Sequence, residues 1–174
     1  MKQIDFENGT ITQNIFMAAI PMLVAQVLNL LYNIVDRIYI ARIPGVGTTA
    51  LGAVGLCFPV IMIITAFSNL FGSGGAPLFS IERGRGNREN AGRILNTSFS
   101  MLALASIVLM LAGLVFARPI LTLFGASADA LTYAYPYLMI YLLGTFPSMI
   151  ATGMNPFINA QGYATTGMLS VALG

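Results

Sequence analysis

The sequence predicts an all-α, polytopic transmembrane helix bundle: four spans and the start of a fifth. Two observations carry that expectation. Of the 174 residues, 57% are hydrophobic and 8% are charged, where a soluble domain carries about 25% charged residues. The apolar residues also fall into runs of more than twenty, separated by short polar patches. Such runs are long enough to cross about 30 Å of hydrocarbon, and their repetition is the pattern of several crossings rather than of one buried core.

The first span is expected at about 15–40, with Pro21 near its start, where a helix tolerates it. Ahead of it, Met1 to Asn8 mixes Lys2 with Asp5 and Glu7. The apolar run that follows is too long for the core of a cleaved signal peptide, so it is expected to remain as a span. Pro44-Gly45-Val46-Gly47 breaks the pattern. The second span is expected at about 50–80, with Pro59 in its middle and Gly72-Ser73-Gly74-Gly75 towards its end. Those glycines lack the lysine and the strand context of a phosphate loop, so close helix packing or local flexibility is the expectation.

Residues 82–93 then hold Arg83, Arg85, Arg88 and Arg93, four of the eight basic residues. The third span is expected at 94–116, uncharged throughout and ended by Arg118-Pro119. The fourth is expected at 131–153, also uncharged, with Pro136, Gly144 and Pro147 inside. Its prolines, with Pro59, read equally as working kinks or as residues a membrane helix tolerates. After Asn155-Pro156 a fifth apolar stretch begins near Thr165. Its nine or ten residues are too few to span, so the sequence is expected to be part of a longer protein.

Lys2, Arg83, Arg85, Arg88 and Arg93 fall on one side of this arrangement, and Arg37, Arg42 and Arg118 on the other. The excess places the N-terminus on the cytoplasmic side of the plasma membrane by the positive-inside rule. Arginines gathered in one loop do not make a nucleic-acid footprint.

On a helical wheel of about 100° per residue, Gln26, Asn29, Asn33 and Asp36 fall on one face of the first span. A polar stripe cannot face lipid cheaply, because an unsatisfied polar group there costs several kcal/mol. It is expected to face a bundle interior or a water-filled cavity. Asp36 is the one acidic residue inside any expected span, and intramembrane carboxylates are candidates for ion or proton handling. Its oxygens suit a hard cation such as sodium, or a proton. The bland alternative puts Asp36 at the far interface beside Arg37, marking a helix end. Tyr32 and Tyr39 border the same face, as cavity lining or as interfacial anchors.

An enzyme reading has little to stand on. With no histidine and one cysteine, Cys57, in an apolar run, no catalytic triad, disulfide framework or metal cluster assembles, and no cofactor is expected. Ten methionines and eleven phenylalanines suit an adaptable pocket for lipophilic cargo, although most must face lipid or pack.

Ile20-Pro21 through Asp36-Arg37-Ile38-Tyr39-Ile40-Ala41, followed by Ala50-Leu51-Gly52-Ala53-Val54, resembles the opening of the multidrug and toxic compound extrusion transporters. Gly74-Gly75-Ala76-Pro77-Leu78 leading into Glu82-Arg83-Gly84-Arg85 resembles the first cytoplasmic loop of their bacterial drug-exporter branch. Asn155-Pro156-Phe157-Ile158-Asn159-Ala160-Gln161-Gly162 is similar to the loop before the fifth helix, with Asn159 where many members carry a basic residue. The resemblance covers nearly the whole chain. It implies two lobes of six helices around a central cavity, and export of cationic or lipophilic compounds driven by sodium or protons. By the same resemblance Asp36 takes the coupling role, as a sodium ligand if sodium is the ion. Its partners on the fifth and sixth helices and the whole second lobe lie beyond this chain, so a C-terminal half or a second copy is an expected partner, beside lipid and a drug-like substrate. The alternatives are a lipid-linked precursor flippase of the same superfamily, whose cavity cations would be Arg37 and Arg42, and a non-transporting scaffold subunit.

Overall fold

The computed structural model describes residues 10–173, which form six helices and, among the described residues, no strand. They are α1 (Ile11–Ala41), α2 (Gly47–Gly84), α3 (Arg88–Leu123), α4 (Ala128–Leu143), α5 (Thr145–Ala160) and α6 (Ala164–Leu173). The charges of the N-terminal tail, Lys2, Asp5 and Glu7, lie outside the described residues.

Local chemistry fixes the turns. α2, α3 and α5 end in one pattern: a glycine two residues past the helix, at positive φ, and two backbone bonds closing back over the last turn. At the end of α2, Gly86 has φ 76°, its N–H donates to Arg83 O at 3.0 Å, and Asn87 N–H donates to Glu82 O at 2.9 Å. A side chain at this φ would be strained, and the bonds satisfy carbonyls the helix end leaves open. Asn87 then starts α3, its side chain accepting from Asn90 N–H at 3.2 Å, and Ser127 starts α4 by accepting from Ala130 N–H at 3.2 Å.

The centre of the bundle is α2 against α3, α4 and α5, while α1 packs on α6 and more lightly on α2. Cys57, Leu102, Leu121, Leu138, Leu142 and Met149 are fully buried in the main cluster. A smaller cluster of Ala76, Phe79, Ala91 and Phe157 closes the end beside the α2–α3 turn. In lipid no hydrophobic force drives helix pairing, so approach depends on small residues and polar contacts. The glycine run of the second span answers that need inside an unbroken α2. Gly72 faces the backbone of Gly153, whose Cα lies 2.9 Å from where a Gly72 Cβ would stand. Gly75 faces Ser98 and the Phe157 ring. Ser68 Oγ donates to Met149 O at 3.3 Å and lies 3.0 Å from Thr152 Oγ1.

Three helix ends differ from expectation. Arg118-Pro119 does not end the third helix, which runs on to Leu123. Pro119 removes one helical bond, but Ala117 and Leu121 on either side are held in the core, and the Arg118 guanidinium lies 5.1 Å above the Tyr135 ring of α4. Pro156 likewise lies within α5, because Phe157 is buried in an edge-to-face pair with Phe79, centroids 5.6 Å apart. The stretch expected as one fourth helix is two, α4 and α5, bent by 57° at Gly144. Pro147 fits the break: lacking an N–H it cannot donate back to Leu143, and it stands in the first turn of α5, where a missing donor is tolerated. Pro59 and Pro136 lie within unbroken helices.

The bent pair runs the length of α2. Its early part meets the early part of α2, where Cys57 Sγ lies 3.5 Å from Ala134 O, and its late part meets Phe79 through Phe157. Twenty-two residues of α2 separate Cys57 from Phe79, about 33 Å of helix, which matches the hydrocarbon core. α1, α2 and α3 are each long and apolar enough to cross a membrane alone, and the bent pair taken as one span makes a fourth candidate crossing.

Short α6 is tied down by Asn155 of α5. The Asn155 amide donates to Gly167 O and to Ser170 Oγ, both at 2.9 Å, and its oxygen accepts from Asn159 Nδ2 at 3.0 Å. Asn155→Ala is expected to destabilise the protein by about 1–2 kcal/mol. Amide exchange should then rise in residues 164–173 more than in α2 or α3. Uniform exchange across all six helices would contradict this tether.

Candidate functional site

The candidate site is the polar stripe of α1, a helix that buries none of its residues. Gln26, Asn29, Asn33 and Asp36 are all exposed, as are Tyr32 at 73% and Tyr39 at 74%. Within these residues the stripe is not enclosed; it runs along an open face of the bundle. Asn33 Nδ2 donates to Asn29 O at 2.8 Å and to Asn29 Oδ1 at 2.9 Å, so these two amides form one polar step. Gln26 and Tyr39 make no hydrogen bond among the described residues.

Asp36 stands one to two turns before the end of α1. Its neighbour Arg37 does not pair with it. The Arg37 guanidinium lies 5.8 Å over the Phe58 ring of α2 instead, and among the described residues Asp36 enters no ion pair. Both carboxylate oxygens are therefore free to accept from water or hold a cation. No group of three or more Asp, Glu, His or Cys residues gathers among the described residues.

A family model for MatE matches residues 21–174. The chain belongs to the MatE family. The multidrug export protein MepA of Staphylococcus haemolyticus is 24% identical over 166 residues, which cover 95% of this chain and 36% of that protein. A FAD transporter of Shewanella oneidensis is 26% identical over 149 residues, covering 86% of this chain and 31% of that one. A crystal structure of MATE in complex with MaD5 superposes with a TM-score of 0.89 at 26% identity, over 99% of this chain and 39% of that one.

The chain thus spans about a third of the length of the curated relatives it matches, and the match falls on their N-terminal part. The MatE relatives are transporters by name and not enzymes. The fold matches the N-terminal lobe of the family.

Proposed function

We propose that this chain is part of the N-terminal lobe of a secondary active antiporter that exports cationic or lipophilic small molecules in exchange for sodium or protons. One observation carries the reading: Asp36, on one face with the mutually bonded Asn29 and Asn33, enters no ion pair among the described residues and stands on an exposed membrane-helix face of a MatE chain. Polar groups there are costly against lipid, and a second lobe facing α1 across a watery cavity relieves that cost. Asp36 binds the coupling ion and releases it when the cavity reopens, so cargo and ion take turns at one face. Tyr32, Tyr39 and Gln26 line the cargo path. The excess of arginine at the α2–α3 turn supports a cytoplasmic N-terminus in the plasma membrane.

The FAD transporter among the relatives favours a second reading, a cavity for an anionic dinucleotide, with Arg42 and Arg37 near the stripe as its cations.

Dye efflux tests both. Cells making the chain extended to the length of its relatives are expected to expel a lipophilic cation such as ethidium, and cells making residues 1–174 alone are not. Replacing external sodium by potassium stops export if sodium is the ion; a protonophore stops it if protons are. Retention of the dye together with release of FAD into the medium would favour the second reading. Neither release would sink the transport proposal.

A further inference from the structure

The α2–α3 turn carries a second polar surface, which the transport reading leaves unused. Within residues 82–93 four arginines stand against two carboxylates, Glu82 and Glu89. Glu82, its side chain 16% exposed, accepts from Arg85 at 2.8 Å and from Asn90 Nδ2 at 3.4 Å. Glu89 takes Arg93 at 2.8 Å, both side chains largely exposed. The Arg93–Glu89 pair, exposed on both sides, is weak, so Arg93 can take a better partner, while the Arg85 guanidinium, itself 71% exposed, can take a second one beside Glu82. The Arg83 guanidinium lies 5.7 Å over the Phe79 ring, and Arg88 meets no carboxylate among the described residues. Two positive charges are left over.

Below this charge lies a groove. Leu78, Ile81 and Ile94 line it with Arg85, Arg93 and Asn90, and with Glu82, whose carboxylate is already taken by Arg85 and Asn90. The polar surface then continues down α3, where Asn96, Thr97 and Ser100 line a second shallow hollow. Arg93, Asn96, Thr97 and Ser100 follow the spacing that puts residues on one helix face. All four are exposed, and the last three make no hydrogen bond among the described residues.

Depth decides what such a face can meet. The charges Arg93 and Arg118 of α3 stand 25 residues apart, about 37 Å along the helix, against about 30 Å of hydrocarbon. With the excess shared between the two ends, Arg93 sits at headgroup level, Asn96 and Thr97 at the edge of the hydrocarbon, and Ser100 one turn deeper. Hydroxyls and an amide without partners are costly at that depth. A lipid offers phosphate, glycerol and ester oxygens, and acyl chains, which suit the arginines, the polar stripe and the apolar lining of the groove. A second copy of the chain docking along α3 about an axis normal to the membrane would instead bring two basic turns together.

We propose that this surface binds one anionic phospholipid, its phosphate between Arg85 and Arg93, its glycerol and ester oxygens on Asn96, Thr97 and Ser100, and an acyl chain along Leu78, Ile81 and Ile94.

Native mass spectrometry of the purified protein, titrated with phosphatidylglycerol or with phosphatidylcholine of the same acyl chains, tests this. Phosphatidylglycerol is expected to be retained with roughly tenfold preference, and Arg85→Gln with Arg93→Gln to remove that preference, since each surface arginine contributes most of a factor of ten. Arg42→Gln, at the other end of the bundle, should leave it unchanged. Thr97→Val with Ser100→Ala should weaken both lipids several-fold, and free glycerol phosphate should not displace the bound lipid. If the arginine pair loses its melting transition, Arg93→Gln alone carries the test, because its partner Glu89 is at the surface. Equal retention of the two lipids, or a preference that survives the arginine substitutions, overturns the proposal. So does a change of mass from two copies to one on substituting Thr97 and Ser100, which would make the stripe a contact between copies.

Discussion

Asp36→Asn in the chain extended to the length of its relatives is expected to reduce ion-coupled dye efflux to the level of cells lacking the protein. The amount of protein in the membrane should not change. Asparagine keeps the size and one oxygen of the side chain but cannot hold a proton or supply a full negative charge to a cation. Because Asp36 is exposed and in no ion pair among the described residues, its neutralisation removes no structural contact that the fold depends on. The same variant separates the readings of the stripe. An Asp36 that merely marks a helix end predicts unchanged efflux, and that result would remove it from the mechanism. Asn33→Leu provides a graded comparison. It breaks the two bonds to Asn29 while leaving the carboxylate, so export should weaken and the identity of the coupling ion should not change.

A second large effect is expected at Gly72, and it is one of stability. A Cβ there would enter the backbone of α5 at Gly153, its carbonyl oxygen nearest and its Cα 2.9 Å away. Backbone cannot swing aside as a side chain can, so Gly72→Val must push α2 and α5 apart. Overpacking in a close-packed core costs about 1–3 kcal/mol, and parting two helices also exposes the Ser68–Thr152 contact. A loss of about 3 kcal/mol or more is expected, read as a lower melting temperature in detergent and aggregation on size exclusion. Gly74→Val is the control, because a Cβ at Gly74 meets nothing within 4 Å. Equal melting of the two variants would remove the backbone contact as a source of stability.

The chain's character as an all-helical membrane bundle was legible from hydropathy, because lipid leaves a spanning chain few alternatives to helix. Turns were legible where glycine and polar residues coincide, as at Gly84 to Asn87. Of the glycine run in α2, Gly72 and Gly75 pack closely as expected and Gly74 does not; which helix they pack against was hidden, since that depends on contacts such as Gly72 with Gly153, 81 positions apart. Proline misled in both directions. Pro119 and Pro156 interrupt no helix because buried neighbours hold the backbone, whereas Pro147 starts one. The bend at Gly144 was hidden because residues 131–153 are uniformly apolar. In the candidate site, the stripe was legible as a pattern, whereas its lying on an open face depends on how α1 packs on α6 and α2. The resemblance named the family, and the match of the MatE model over residues 21–174 agrees with it.

The touching backbones of α2 and α5 and the wholly unburied α1 have a joint consequence for motion. Helices that meet at glycine, with Leu102 pressed against Gly153 and Leu142 against Gly113, have no slack in which to slide, because close-packed interiors shift between discrete arrangements rather than deform smoothly. α2, α3, α4 and α5 therefore behave as a chassis. α1 is a panel hung beside it, resting on α6 and the flank of α2 and burying none of its residues. Asp36 is mounted on the panel and not on the chassis.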